Sequence, residues 1–422
     1  MKGATLLFAV LGITFTCVAN AQTIEQIEEY ERRIDEQQRQ LDALRAELDV
    51  LKKVAGMPVS PDEEEATLEV AETLPDSAPE SKPFLERRSD NGTFTLGGRL
   101  HRVLMQVDDG ASSNGFFMDS NQGPTMLRAD VFAPLNGGWR LSGALEVGIQ
   151  SNRPDRVTQD DPSPGTDITV READVELHND KVGTFSFGRG FAAAWVVPEI
   201  DLSGTVPSSL IAVGNLAPGM RFVDRTNDEL SDISVNQHFA DTERLLLVDR
   251  LRYDSPRLGG GFQLSGTVAA DSRWDAALRY YPSNDDWTIR AAATYQHKPF
   301  QDLDYRVELG LSARHNRTGL SLTTGLLFGD ASGRDASGYI VKAGWLTNLT
   351  SLGSTAFSAD FSSGSDIRLP DDDSESVGFF VQQKLDAVGL DVYGGYRRYK
   401  VDRPDFDLRP LKVVVLGAMY TF

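Results

Sequence analysis

Residues 138–150 read GWRLSGALEVGIQ. Trp139, Leu141, Gly143, Leu145, Val147 and Ile149 fall on one face of an extended chain. Arg140, Ser142, Ala144, Glu146, Gly148 and Gln150 fall on the other. A period of two held over a dozen residues fits a strand with one apolar face and does not fit a helix. The pattern returns in DWTIRAAATYQ (286–296) and YRVELGLSAR (305–314), and blurs between Ile168 and His178. Parsed this way, the chain from Thr93 to Phe422 divides into about sixteen strands, most near the ten residues that cross a bilayer at a tilt of about 45°. Their expected starts are Thr93, Thr125, Gly138, Asp167, Val182, Arg244, Gly261, Arg273, Asp286, Asp304, Thr318, Ser337, Gly353, Glu375, Val388 and Leu411.

Alternation alone fits a soluble sandwich as well as a membrane barrel, so connections and aromatics must decide. Long polar connections such as DDGASSNGFFMDSNQG (108–123), SNRPDRVTQDDPSPGT (151–166) and SDIRLPDDDS (365–374) alternate with tight turns. The turns are NGG (136–138), NDK (179–181), PSND (282–285) and NRT (316–318), and the short connection near Asp271 is the exception. Long loops at one end and short turns at the other are the habit of outer-membrane barrels. Bulky rings also gather at both strand ends. Trp139, Phe132, Tyr253, Tyr280, Trp287, Trp345, Tyr420 and Phe422 fall on the turn side, and Trp274, Tyr295, Phe328, Tyr339 and Tyr396 on the loop side. Two aromatic belts are what the two bilayer interfaces select. An open sheet would leave unpaired edges in lipid, so the expected fold is a closed all-β transmembrane barrel of about sixteen antiparallel strands, wide enough for water.

Three segments precede the barrel. Residues 1–21 read as a signal peptide: Lys2, an apolar run from Ala4 to Val18, then Ala19-Asn20-Ala21. It contains Cys17, the one cysteine, so disulfides and thiolate metal sites are excluded beyond it. Residues 22–53 predict an α-helical coiled coil. Ile27, Ile34, Leu41 and Leu48 are seven apart, with Tyr30, Gln37, Leu44 and Leu51 three after each. Its core is Ile27, Ile34, Leu41, Leu44, Leu48 and Leu51. Mixed Ile and Leu at these positions leave the number of helices open. Residues 54–90 are rich in Pro and acids and read as an extended linker. The barrel domain is then 91–422.

The formal charge is −20, which argues against a nucleic-acid partner. Acid runs such as PDDDSES (370–376) read as solvated loop tips, at most weak calcium ligands, and no other cofactor is expected. The five histidines are scattered without paired-ligand spacing, and no G-x-S-x-G elbow occurs. GRGFAA (188–193) fits a dinucleotide-type glycine pattern but has no βαβ unit around it. An enzyme is not expected. On the lumen parity lie Arg128, Asp130, Arg140, Glu146, Arg290, Arg306, Glu308, Arg314 and Lys342, with Arg99, Arg102 and Arg171 as further wall residues. Charges on such a wall would focus the field on passing ions.

A signal, a heptad segment, an acidic linker and a barrel ending in Phe422 resemble the Gram-negative trimeric porins, more narrowly the DcaP-like porins with their periplasmic coiled coil. The resemblance implies a homotrimer in the bacterial outer membrane, in contact with lipid and lipopolysaccharide. It implies that the barrel-assembly machinery reads the terminal strand at Tyr420 and Phe422. It implies that the long connection 190–241 folds into the lumen as a constriction, with Arg128, Arg140 and Arg171 facing Glu199 and Asp201; Arg290 and Arg306 join these pore residues by their parity on the wall. The function expected is passive diffusion of small hydrophilic solutes, favouring anionic ones such as dicarboxylates. A dedicated sugar or phosphate channel, or a barrel that chiefly links to the cell wall, are the alternatives.

Overall fold

A computed structural model describes residues 83–89, 91–239, 247–259, 261–299, 303–331, 334–367 and 370–422, all within the unit Leu74–Phe422. The expected signal peptide, coiled coil and most of the linker lie outside the described residues. Strand β1 (Leu85–Ser89) forms a hairpin with β2 (Gly92–Asp108), followed by β3 (Ser113–Met118) and β4 (Met126–Pro134). Next come β5 (Trp139–Ser151), β6 (Thr166–Asn179) and β7 (Gly183–Phe191). The long connection after β7 carries its own hairpin, β8 (Arg221–Asp224) and β9 (Glu229–Ser234), and one helical turn, α1 (Val235–His238). The series continues with β10 (Leu247–Asp254), β11 (Phe262–Ala269), β12 (Trp274–Tyr280), β13 (Trp287–His297) and β14 (Tyr305–His315). It ends with β15 (Leu320–Ala331), β16 (Arg334–Thr350), β17 (Gly353–Ser365), β18 (Asp373–Leu385), β19 (Leu390–Asp402) and β20 (Leu411–Thr421).

Sequential strands pair antiparallel, β10 returns to β7, and β20 pairs with β2 from Arg99↔Thr421 to Asp108↔Lys412. That last ladder closes the barrel. The main sheet has eighteen strands. β1 adds only a hairpin, and β3 and β4 pair with the upper and lower halves of β2 as one wall strand, which leaves sixteen in the wall.

Strand starts agree closely with the sequence reading except at β3. GFFM was expected in an outer loop, yet Phe116 and Met118 point inward and are buried, which draws β3 into the ladder. Residues 119–125 then leave the wall, because Pro124 has no N–H for a ladder bond. Asp119 Oδ1 caps this excursion, accepting from the Ser120 and Thr125 amides.

The two faces of the wall invert the pattern of a soluble protein. Phe187 is 72% exposed and Leu104 52%, whereas Arg306 is 1% and Lys342 0% exposed. Burying that much charge while exposing that much hydrocarbon makes sense only with lipid outside and protein or water inside. Rings pack against one another along both edges: Trp345 with Phe357, Phe262 with Tyr280 and Tyr420 with Phe422 near the turns; Trp274 with Tyr295, Tyr295 with Tyr305, and Tyr339 with Phe361, near the loops. Phe132 is a correction. It pairs with Thr93 on the parity of Arg128 and Asp130, so it faces the lumen.

The lumen is not uniformly polar. Val103, Met105, Val107, Phe116, Met118, Leu411, Val413 and Val415 point inward from the seam strands and are buried. They join Val196, Val197, Ile200, Met220, Phe222 and Phe239 of the long connection in one core. Each such side chain taken from water contributes about 1.5–3 kcal/mol. The seam is therefore apolar on both faces, which a strict lipid-or-lumen alternation does not anticipate.

Candidate functional site: the lumen constriction

The connection that follows Phe191 turns inward at once. Ala193 N–H donates to Thr267 Oγ1 at 2.8 Å and Ala194 N–H to Asp275 Oδ2 at 2.9 Å. These bonds lay its short 3-10 turns, Ala193–Val196 and Pro198–Ile200, against the inner faces of β11 to β14. Gly310 makes the approach possible, since a Cβ there would sit 2.4 Å from Ile200 Cδ1. Further on, Leu202 N–H donates to Ser312 Oγ and Thr205 Oγ1 to Ser358 Oγ.

Two buried ion pairs fix the loop across the next strands. Lys342 Nζ lies 2.7 Å from Asp201 Oδ2 and also donates to the Ser209 carbonyl, with neither charged side chain exposed. Arg397 grips Asp360 through two bonds of 2.6 and 2.8 Å and donates to Ser209 Oγ at 3.1 Å. Tyr399 OH donates to the Val213 carbonyl at 2.7 Å, and the inward excursion of 119–125 meets the loop where Leu210 N–H donates to Gln122 Oε1. The connection expected over 190–241 thus enters the lumen after Phe191, while its hairpin β8–β9 meets the β19–β20 connection, Arg225 N–H donating to the Asp407 carbonyl and Arg409 N–H to that of Val223.

The wall charges gather in clusters. Arg128 contacts Asp130 at 3.0 Å, Glu146 at 3.2 Å and Glu172 at 2.9 Å, and Arg171 Nε lies 2.6 Å from Glu146. Arg250 holds Asp174, Arg252 holds Asp254 through two bonds of 2.8 Å, and Arg279 reaches the same Asp254 at 3.2 Å. Arg306 pairs with Glu308 at 2.5 Å. Arg290 lies over the Tyr281 ring, 4.9 Å from its centre.

The expected opposition of Arg128, Arg140 and Arg171 to Glu199 and Asp201 is therefore corrected. Arg128 and Arg171 do share a cluster, but with wall acids. Arg140 bonds Asp180 of a turn at 2.7 Å, outside the constriction. Together with His178, it holds the Asp180 carboxyl below its ordinary range, the His178 hydrogen bond being the larger cause. Arg102 points outward, over Phe117, and reaches Asp119 at 3.7 Å. The loop acids went elsewhere because apolar packing steers the loop: Val197 and Ile200 dock on Gly310, which delivers Asp201 to Lys342 and Glu199 to the Arg252 and Arg279 side of the wall. Burial pushes the Glu199 carboxyl up to about 7, with Arg279 and Arg252 pulling the other way.

Arg250, Arg252, Arg279, Asp360 and Arg397 were not singled out from the sequence. For Arg250 and Arg252 a signal was available in VDRLRYD, where they share one parity with Asp254. The histidines have structural partners: His101 bridges the Gly123 carbonyl and Tyr393 OH, His178 meets Thr184 and Asp180, His297 stacks on Trp274, and His315 meets Thr318. Among the described residues no group of three His, Cys, Asp or Glu is placed to hold a metal ion.

Solved structures share this fold at low sequence identity. An anion-selective porin from Comamonas acidovorans aligns with a TM-score of 0.55 at 16% identity, over 78% of this chain and all of that one. The outer-membrane channel DcaP of Acinetobacter baumannii gives 0.51 at 13% identity, over 80% of this chain and 99% of that one. The trimer form of OmpT from Vibrio cholerae gives 0.50 at 13%, over 79% and 100%. No curated protein sequence matches significantly. The family model of Gram-negative porins matches residues 69–404, and with a closed sixteen-stranded wall around a pinned lumen loop, this chain belongs to the Gram-negative porin family and is built as a channel rather than an enzyme.

Proposed function

We propose that the protein is a passive diffusion channel for small hydrophilic solutes, with a preference for anionic ones such as dicarboxylates, working as a homotrimer. One observation carries the preference. The lumen cations Arg99, Arg290 and Arg314 make no ion pair among the described residues and stay partly exposed. The wall acids without ion pairs, Asp275 and Asp391, are 2% and 4% exposed. Two acids stay partly exposed without an ion pair, Glu176 on the wall, held by the hydroxyls of Ser142 and Ser186, and Glu199 on the lumen loop, against three such cations. Paired charges largely cancel at a distance, so the field that a solute meets comes from those left over. The trimer reading is supported by the resemblance to trimeric porins. The coil over 22–53 is proposed to join or tether the barrels from the periplasm, and Tyr420 and Phe422 to serve as the assembly signal.

Reversal potentials in a KCl gradient, with dicarboxylates, sugars and phosphate as blockers, test the preference. The expected result is a mild chloride preference and block by dicarboxylates. A clearly cation-selective potential would overturn it, and block by a neutral sugar alone would favour a dedicated sugar channel.

A further inference from the structure

Among the long connections, β9, α1 and the β19–β20 connection enclose a cavity of about 460 Å³. That volume is in the range of small-molecule sites. One side of it is a tight turn, RPDF (403–406), in which Phe406 N–H donates to the Arg403 carbonyl at 3.3 Å. Proline at the second position presets the backbone for such a turn. Closing the turn brings its two ends together, and the Arg403 guanidinium lies over the Phe406 ring, 5.2 Å from its centre. Arg403 is half-buried and makes no ion pair among the described residues. Leu230 and Ile233 of β9 add apolar wall, and Phe406 keeps 38% of its surface exposed. The hairpin β8–β9 is fastened to this connection by the backbone bonds given above and by the ion pair of Arg409 with Asp228. The other polar groups of the lining have work of their own. His238 meets Asp372 at 3.3 Å, both buried. Gln237 spends its Oε1 on the Ser234 amide, which leaves its N–H groups to donate. Asp232 stands wholly in water, 3.8 Å from Arg221, which Asp160 also pairs.

We propose that this cavity is a binding site for a small carboxylate with an apolar body. Arg403 takes the carboxylate, Gln237 donates to it, and Phe406, Leu230 and Ile233 cover the apolar part. A guanidinium laid on a ring is oriented in advance, and it meets a carboxylate through two parallel N–H bonds. With His238 and Asp372 matched to each other, Arg403 is the charge that the cavity leaves for a ligand. A lone guanidinium suits one carboxylate better than a phosphate, which calls for a second cation. Asp232 opposes it little, because a fully hydrated carboxylate is screened. The site shares no residue with the lumen cations Arg99, Arg290 and Arg314. Binding there therefore follows neither from conduction nor from the anion preference proposed above.

The test is saturation-transfer NMR on the full-length protein in detergent, with phenylacetate as the probe and phenylacetamide and acetate as controls. Phenylacetate is expected to bind saturably, and each control roughly tenfold or more weakly, since one lacks the charge and the other the apolar body. Arg403→Gln is expected to weaken phenylacetate binding roughly tenfold and Phe406→Ala severalfold, each in protein whose barrel is folded by heat-modifiable mobility. No saturable binding to wild type, or equal binding of phenylacetamide, would overturn the proposal. So would binding unchanged in both variants, which would place the probe elsewhere. Folded protein that binds phenylacetate through Arg403 yet conducts nothing would remove the channel reading and leave this site standing.

Discussion

Lys342 and Asp201 sit 141 positions apart and meet with no exposed surface on either side chain. Removing one member of a buried pair strands the other, at a cost of about 3–5 kcal/mol. Lys342→Met is therefore expected to loosen the loop: heat-modifiability gels would show a lower transition temperature, and recordings would show larger, noisier conductance. An unchanged transition would mean the pair does not hold the loop. The parity of Lys342 was legible in GYIVKAG, because period two tells which face a side chain takes. Its partner was not, because the meeting depends on how a long loop crosses the lumen. Arg140 shows the same limit. Its parity was right, but its height along the strand put it at a turn beside Asp180.

Among elements, the lumen loop depends on glycines in the wall as much as on its own sequence. A valine at Gly310 would push into Ile200, where a Cβ already has 2.4 Å of room. Overpacking of this kind costs about 1–3 kcal/mol. Gly310→Val is expected to displace the turn Pro198–Ile200, read as altered conductance with the barrel still heat-modifiable. The closing strand carries a second prediction. Phe422 exchanges backbone bonds of 2.8 and 3.0 Å with Gly98 and stacks on Tyr420 at 5.6 Å. Deleting Tyr420–Phe422 is expected to reduce the folded fraction in outer-membrane preparations severalfold; full recovery of folded barrel would exclude this end as the assembly signal. Wall strands were legible because alternation and turn residues mark them locally. β3 was missed because a strand that leaves the ladder after six residues looks, in sequence, like the start of a loop.

For the molecule as a whole, the inversion of exposed hydrocarbon and buried charge is what a bilayer imposes, and the ladder between β2 and β20 is what closure requires. That much follows from the pattern of the chain. The apolar seam core does not, because KVVVLGAM is apolar on both parities and only the docked loop explains its inner one. Deleting residues 22–90 tests how far the barrel stands alone: conductance per pore is expected to persist, with any loss of trimers on unheated gels assigning that segment to assembly. Passive diffusion requires an open aqueous path through the folded barrel. Single-channel recording of purified, heat-modifiable protein in planar bilayers tests it most directly. Discrete steps that scale with KCl concentration are predicted, and folded protein that inserts yet never conducts would contradict the account.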